Sequence, residues 1–202
     1  MFINFWYAAA LPPELRDKPL RVRMLGQNFV LFRDRQGVAH CLSNVCVHRC
    51  GSLAQGWVSG DRVVCPYHGW EFNGAGQCER IPSLGPDQPP PPGRARVDAY
   101  PTVERYGLLF VFLGDLPEAE RPPIMPIPEW DDTAWRCTVS VFDIKANYRR
   151  LVENALDFGH AEFVHFVGRR GADPAHRVPD YVIRETPWGG GAEVAFPRQA
   201  KG

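Results

Sequence analysis

The sequence predicts an α+β chain in two parts: an all-β domain over residues 1–120, then, over 121–202, the beginning of a domain that sets a helix on antiparallel sheet. Three observations carry this. Short apolar or alternating runs separated by Gly, Asn and Asp turns fill the first part. A proline-rich stretch, Pro117 to Trp130, follows them and marks the boundary. Beyond it, apolar residues recur at three- and four-residue intervals, as on one face of a helix.

Taken in order, the start MFINFWYAAALPPELRDK is apolar but lacks a basic leader, and its aromatics suit a packed strand better than a signal peptide. Arg21 to Arg33 reads as a hairpin: RVRML, a turn at Gly26-Gln27-Asn28, then FVLFR. Asp34 to Gly37 turns into the strand VAHCL. Two loops follow, CVHRCGSL (46–53) and CPYHGW (65–70), joined by a segment that contains the strand RVV. Asn73 to Gly76 is a turn into a further short strand, and PDQPPPPG (86–93) is an exposed extended loop. GLLFVFL (107–113) is the best buried strand of the chain. Trp135 to Ala146 alternates as a strand and leads into the helix, and DYVIRE and GAEVAF are two further strands.

Composition excludes several classes of function. Lys plus Arg and Asp plus Glu balance at 23 each, so no basic stripe invites nucleic acid or an anionic membrane. No apolar run approaches the length of a membrane span. Six unevenly spaced cysteines do not make a secreted disulfide framework, which points to a reducing cytoplasm.

Two sets of residues carry chemistry. In the stretch LVENALDFGHAEFVH (151–165), Tyr148, Leu151, Val152, Ala155 and Leu156 form one apolar stripe, expected to be buried, with Asn147 as N-cap. Asp157 and His160, three apart, share a helix face. His165, five beyond His160, needs a bend near Gly159 and Val164 to bring both imidazoles to one point. Two imidazoles and an oxygen ligand with open positions suit a non-haem Fe(II) that binds dioxygen. The bland alternative is a surface helix with solvated histidines. Upstream, Cys46-x-His48 and Cys65-x-x-His68 each pair one thiolate with one imidazole. That division suits a [2Fe-2S] centre in which one iron takes Cys46 and Cys65 and the other His48 and His68. A Cys2His2 zinc site more often keeps its cysteines in one loop and its histidines in another. Gly51, Pro66, Gly69 and Trp70 read as loop-packing residues that shield such a cluster. Cys41, Cys50, Cys78 and Cys137 read as ordinary buried cysteines.

CVHRCGSL and CPYHGWEFNGAGQC resemble the two loops of the Rieske fold, and NYRRLVENALDFGHAEFVH resembles the mononuclear-iron helix of the Rieske non-haem iron oxygenases, with its Asp-x2-His-x4-His pattern. The resemblance runs from about Asn4 to about His165. NFWYAAALPPEL and VENALDFGHAEFVH are most similar to the vanillate and dicamba O-demethylase branch. It implies that 1–120 is a Rieske [2Fe-2S] domain and 121–202 the N-terminal part of a mononuclear-iron catalytic domain. It also implies that His160 and His165 are iron ligands. Asp157 is then the carboxylate that orients His160 and reaches a Rieske histidine, His68, of a neighbouring subunit, and Asn154 lies near the iron. The implied activity is that of a terminal oxygenase. It takes electrons from NAD(P)H through a ferredoxin or flavin reductase and uses O2 on an aromatic or similar apolar substrate, as a homo-oligomer, commonly a trimer. A Rieske ferredoxin-like electron carrier is the competing reading, and a non-catalytic interaction protein a third. The family's third iron ligand is a carboxylate far downstream. Asp173, Asp180, Glu185 and Glu193 are the acidic residues after His165 and stand too close in sequence, so the chain is expected to be the start of a longer subunit.

Overall fold

The computed structural model describes residues 3–87, 89–165 and 180–194. The chain divides into two compact units, Met1–Ile124 and Met125–Gly202. In order, the first unit contains β1 (Phe5–Ala10), β2 (Leu20–Met24), β3 (Gln27–Arg33), β4 (Ala39–Ser43), β5 (Trp57–Ser59), β6 (Arg62–Val64), β7 (Glu71–Asn73), β8 (Cys78–Arg80), β9 (Ala99–Tyr100), β10 (Thr102–Arg105) and β11 (Leu108–Leu113). The second contains α1 (Tyr148–Leu156), α2 (Ala161–Val164), β12 (Tyr181–Thr186) and β13 (Gly189–Val194).

The strands of the first unit form three antiparallel sheets, ordered β1-β11-β10, β2-β3-β4-β9 and β5-β6-β7-β8. The run Phe29-Val30-Leu31-Phe32 of β3 is apolar at every position because both faces are buried. Phe29 and Leu31 join a core with Leu15, Cys41, Leu109 and Val111. Val30 and Phe32 face a second core with Leu42, Leu53, Val63, Phe72, Cys46 and Cys65. β3 is thus the wall on which the cysteine loops rest.

The β2–β3 turn is two residues, Leu25-Gly26, both at positive φ (48° and 80°), and β3 begins already at Gln27. The expected turn at Gly26-Gln27-Asn28 is one residue too far along. Two central residues at positive φ give the tight turn whose twist matches the flanking strands. In the β3–β4 turn, Asp34 Oδ1 accepts the N–H groups of Gln36 and Val38, and Oδ2 pairs with His40 Nε2 at 2.8 Å. Glu71, 6% exposed, is held on β7 by Arg80 at 2.7 Å and Arg62 at 3.2 Å, which ties β6, β7 and β8 together. Trp6 Nε1 donates to Pro122 O at 2.8 Å, so the proline-rich segment folds back along β1. No described helix is long and apolar enough to cross a membrane.

In the second unit Asn147 Oδ1 accepts from Arg149 N–H and caps α1. β12 and β13 pair as an antiparallel hairpin. Three expectations fail here. Trp135 to Ala146 is not a strand, and no described strand pairs with it. An alternating pattern alone cannot hold a strand without ladder partners. The α1 stripe is not buried: Tyr148, Leu151, Val152 and Leu156 are 39–52% exposed. The helix also ends at Leu156, with Asp157 as C-cap, and a separate 3-10 turn runs from Phe158 to His160. Asp157 and His160 therefore do not lie on one continuous helix.

Candidate metal centres

The two cysteine loops are built alike. Cys46 N–H donates to Gly51 O and Cys50 N–H to Cys46 O, both at 2.9 Å. In the second loop Cys65 N–H donates to Trp70 O at 2.8 Å and Gly69 N–H to Cys65 O at 2.9 Å. Each turn thus closes on its leading cysteine, and each needs a left-handed residue four positions on: Cys50 at φ 55° and Gly69 at φ 72°. Glycine takes that conformation without penalty, whereas a cysteine there is strained. Behind the first loop, buried Asn44 accepts from Ala54 N–H at 2.7 Å and donates to Ser52 Oγ at 2.9 Å.

This pairing brings four side chains to one tip. The Cys46 and Cys65 thiols are buried and are hydrogen-bond neighbours. Burial pushes the Cys46 thiol up to about 11; the N–H groups of His48 and Arg49 pull the other way, and the neighbouring Cys65 adds to the rise. His48 and His68 are exposed, with ring centroids 4.6 Å apart. Partial desolvation, then the charges of His68 and Arg49, hold the His48 imidazole below its ordinary value. The thiols pair with each other and the imidazoles with each other. A two-plus-two set fits a dinuclear cluster, and the space for it is kept by Gly51. A Cβ there would stand 2.9 Å from Cys65 Sγ.

In the second unit His160 Nε2 and His165 Nε2, on either side of α2, are 3.2 Å apart. Two nitrogens bound to one metal at about 2.1 Å and at right angles lie about 3 Å apart, so this pair fits two sites on one ion. His160 Nδ1 is buried with no hydrogen-bond partner. Asp157 Oδ1 instead accepts Gly159 N–H at 3.0 Å, so the expected Asp157–His160 bond is not formed within this chain. Asn154 is exposed on α1. Asp180 is exposed ahead of β12, and Glu193 pairs with Arg184 at 2.9 Å. Asp173 lies outside the described residues.

A protein-family model described as the Rieske [2Fe-2S] domain matches residues 5–103. The chain is 38% identical over 165 residues to the 4beta-methylsterol monooxygenase of Methylococcus capsulatus, covering 80% of this chain and 44% of that protein. It is 37% identical over 162 residues to the dicamba O-demethylase oxygenase component of Stenotrophomonas maltophilia, covering 80% and 47%. Among solved structures, dicamba monooxygenase with non-heme iron and dicamba superposes with a TM-score of 0.72 at 30% identity, over 91% of this chain and 51% of that one.

Residues 5–103 are a Rieske [2Fe-2S] domain. The chain spans about half the length of the curated relatives it matches. Loops 46–51 and 65–70 both fall within the matched residues, with Trp70 flat against His48 and Tyr67 tilted over His68. Sequence reasoning missed Tyr67 as a cover for His68, and missed Pro82, whose Cγ would lie 3.0 Å from a Cβ on Gly69. An aromatic residue on either side of the second His-Gly pair was the available signal for the first. Two cysteines depart from expectation: Cys41 and Cys78 are buried, but Cys50 and Cys137 are exposed.

Proposed function

We propose that this chain is part of the terminal oxygenase of a Rieske system. In this reading it accepts electrons from an NAD(P)H-dependent ferredoxin or flavin reductase and acts with O2 on an aromatic or similar apolar substrate. Cys46 and Cys65 hold one iron of the [2Fe-2S] cluster, His48 and His68 the other, and His160 and His165 hold a mononuclear Fe(II). When bound, the cluster supplies one-electron relay and the mononuclear iron supplies dioxygen activation.

The residues of the chain do the rest. Buried Cys46 and Cys65 exclude water from the thiolate side, while exposed His48 and His68 present an edge that a partner can reach. His160 and His165 turn their Nε2 atoms toward each other and so orient two ligand lone pairs. Asp157 is exposed at the C-cap, open to a histidine such as His68 of a neighbouring subunit in a cyclic trimer. Asn154, one turn earlier on α1, is placed near the iron. Six free cysteines suit a reducing cytoplasm.

The observation that carries this reading is the 3.2 Å approach of His160 to His165 in the same chain as a Rieske domain, which a simple electron carrier does not need. In the oxygenase assembled with its reductase, His160→Ala should leave the cluster reducible and abolish oxygenated product. Undiminished product formation would contradict the assignment and favour the carrier.

A further inference from the structure

The two cluster histidines have unlike neighbours. The His48 ring lies flat on the Trp70 indole, with centroids 4.6 Å apart and planes 5° apart. Trp70 is half-buried and packs against the core that contains Cys46, Cys65 and Phe72. Its carbonyl also accepts the Cys65 N–H that closes the second loop. Trp70 is therefore anchored to the core by its side chain and to the backbone of a cluster ligand by its own carbonyl. His68 instead meets Tyr67 at 4.0 Å with a 33° tilt, and Tyr67 is 61% exposed.

We propose that Trp70 is a positioning residue for His48, fixing the plane of its imidazole and lowering the reduction potential of the cluster. The inference rests on the reading of His48 as a cluster ligand. His48 is exposed, and its ring would otherwise turn about its terminal torsion, which is broad and soft. A flat, core-anchored partner removes that freedom before the ligand bond is made, as groups around a ligating histidine orient it and tune its metal. The face of the indole is the negative part of its quadrupole. Positive charge on the His48 ring is greatest when its iron is ferric, so the stack favours the oxidised cluster.

The test compares Trp70→Leu, which keeps apolar bulk without a π face, with Trp70→Phe, which keeps a ring. Iron and sulfide content, the midpoint potential by voltammetry and the electron paramagnetic resonance line shape are read on each purified protein. Trp70→Leu should raise the potential and broaden the spectrum, and Trp70→Phe should return both most of the way. Loss of the cluster in the Leu variant alone also supports the proposal. Wild-type potential and line shape in Trp70→Leu overturn it, as do equal shifts, or equal cluster loss, in the two variants. A wild-type protein without a cluster sinks the site itself and the proposal with it.

Discussion

Gly51→Ala puts the steric limit of the cluster pocket to the test. A Cβ at this position would lie 2.9 Å from Cys65 Sγ and 3.3 Å from Tyr67 Cβ. Unbonded carbon and sulfur atoms settle at about 3.5–4 Å, so the sulfur must retreat by roughly 0.7 Å or the first loop must lift. Neither is easy. Cys65 is 2% exposed, and both loops are closed by backbone hydrogen bonds on their leading cysteines. Overpacking of this kind costs about 1–3 kcal/mol, and the fixed surroundings place this case in the upper half. For a chain of this length that is a fall in Tm of about 4–12 °C. Ligand bonds tolerate errors of only about 0.2 Å, so cluster occupancy should fall as well. The assay is thermal unfolding followed by visible absorbance, with iron and sulfide analysis. Gly93→Ala is the control, since a Cβ there meets nothing within 4 Å. Wild-type occupancy and Tm in Gly51→Ala would refute the idea that this glycine keeps the space.

Other outcomes follow from the core and the turns. Phe72 is fully buried beside Cys46 and Cys65, so Phe72→Ala should cost about 3–5 kcal/mol in urea unfolding; a loss below about 1 kcal/mol would show that the core collapses around the gap. Burial alone would raise the Asp34 carboxyl, but the His40 contact and the N–H groups of Val38 and Gln36 outweigh it and hold it below 3.8. A lowered carboxylate adds stability above its unfolded value and loses it as pH falls through the folded one. The stability gap between wild type and Asp34→Asn should therefore hold at neutral pH and shrink below about pH 3.8; a gap unchanged in acid would deny the pairing. Cys46→Ser should leave a folded, colourless first unit, because the proposed assignment makes the removed thiol one of four ligands; retained colour would move the ligand elsewhere.

Much of the first unit was legible in its residues. Mixed Cys/His loops have few chemical uses, and the strands around them are punctuated by Gly and Asn turns whose conformation residue type dictates. The errors there were small: a turn displaced because Leu25 accepts a positive φ that its side chain disfavours, and Cys50 exposed where a buried cysteine is expected. The twin closure of the two loops was not legible, since Cys50 and Gly69 have nothing in common but backbone conformation. The second unit was harder. The stripe on α1 and the alternation of Trp135 to Ala146 are apolar patterns, but periodicity names no partner; the stripe stays largely exposed and no described strand pairs with 135–146. The spacing of His160 and His165 asks for a bend that turns both imidazoles to one point, and their rings do meet. Helical spacing misplaced Asp157, because its side chain caps the break instead of continuing the helix.

The assignment of Cys46, His48, Cys65 and His68 to a dinuclear cluster is tested most directly by one measurement on protein purified without oxygen. Iron, zinc and acid-labile sulfide are determined, and the dithionite-reduced sample is examined by electron paramagnetic resonance with its histidines labelled in nitrogen-15. The expected result is a rhombic signal with couplings to two histidine nitrogens, equimolar iron and sulfide in the cluster, and further iron only where His160 and His165 are loaded. One zinc per chain, no sulfide and no signal would contradict it.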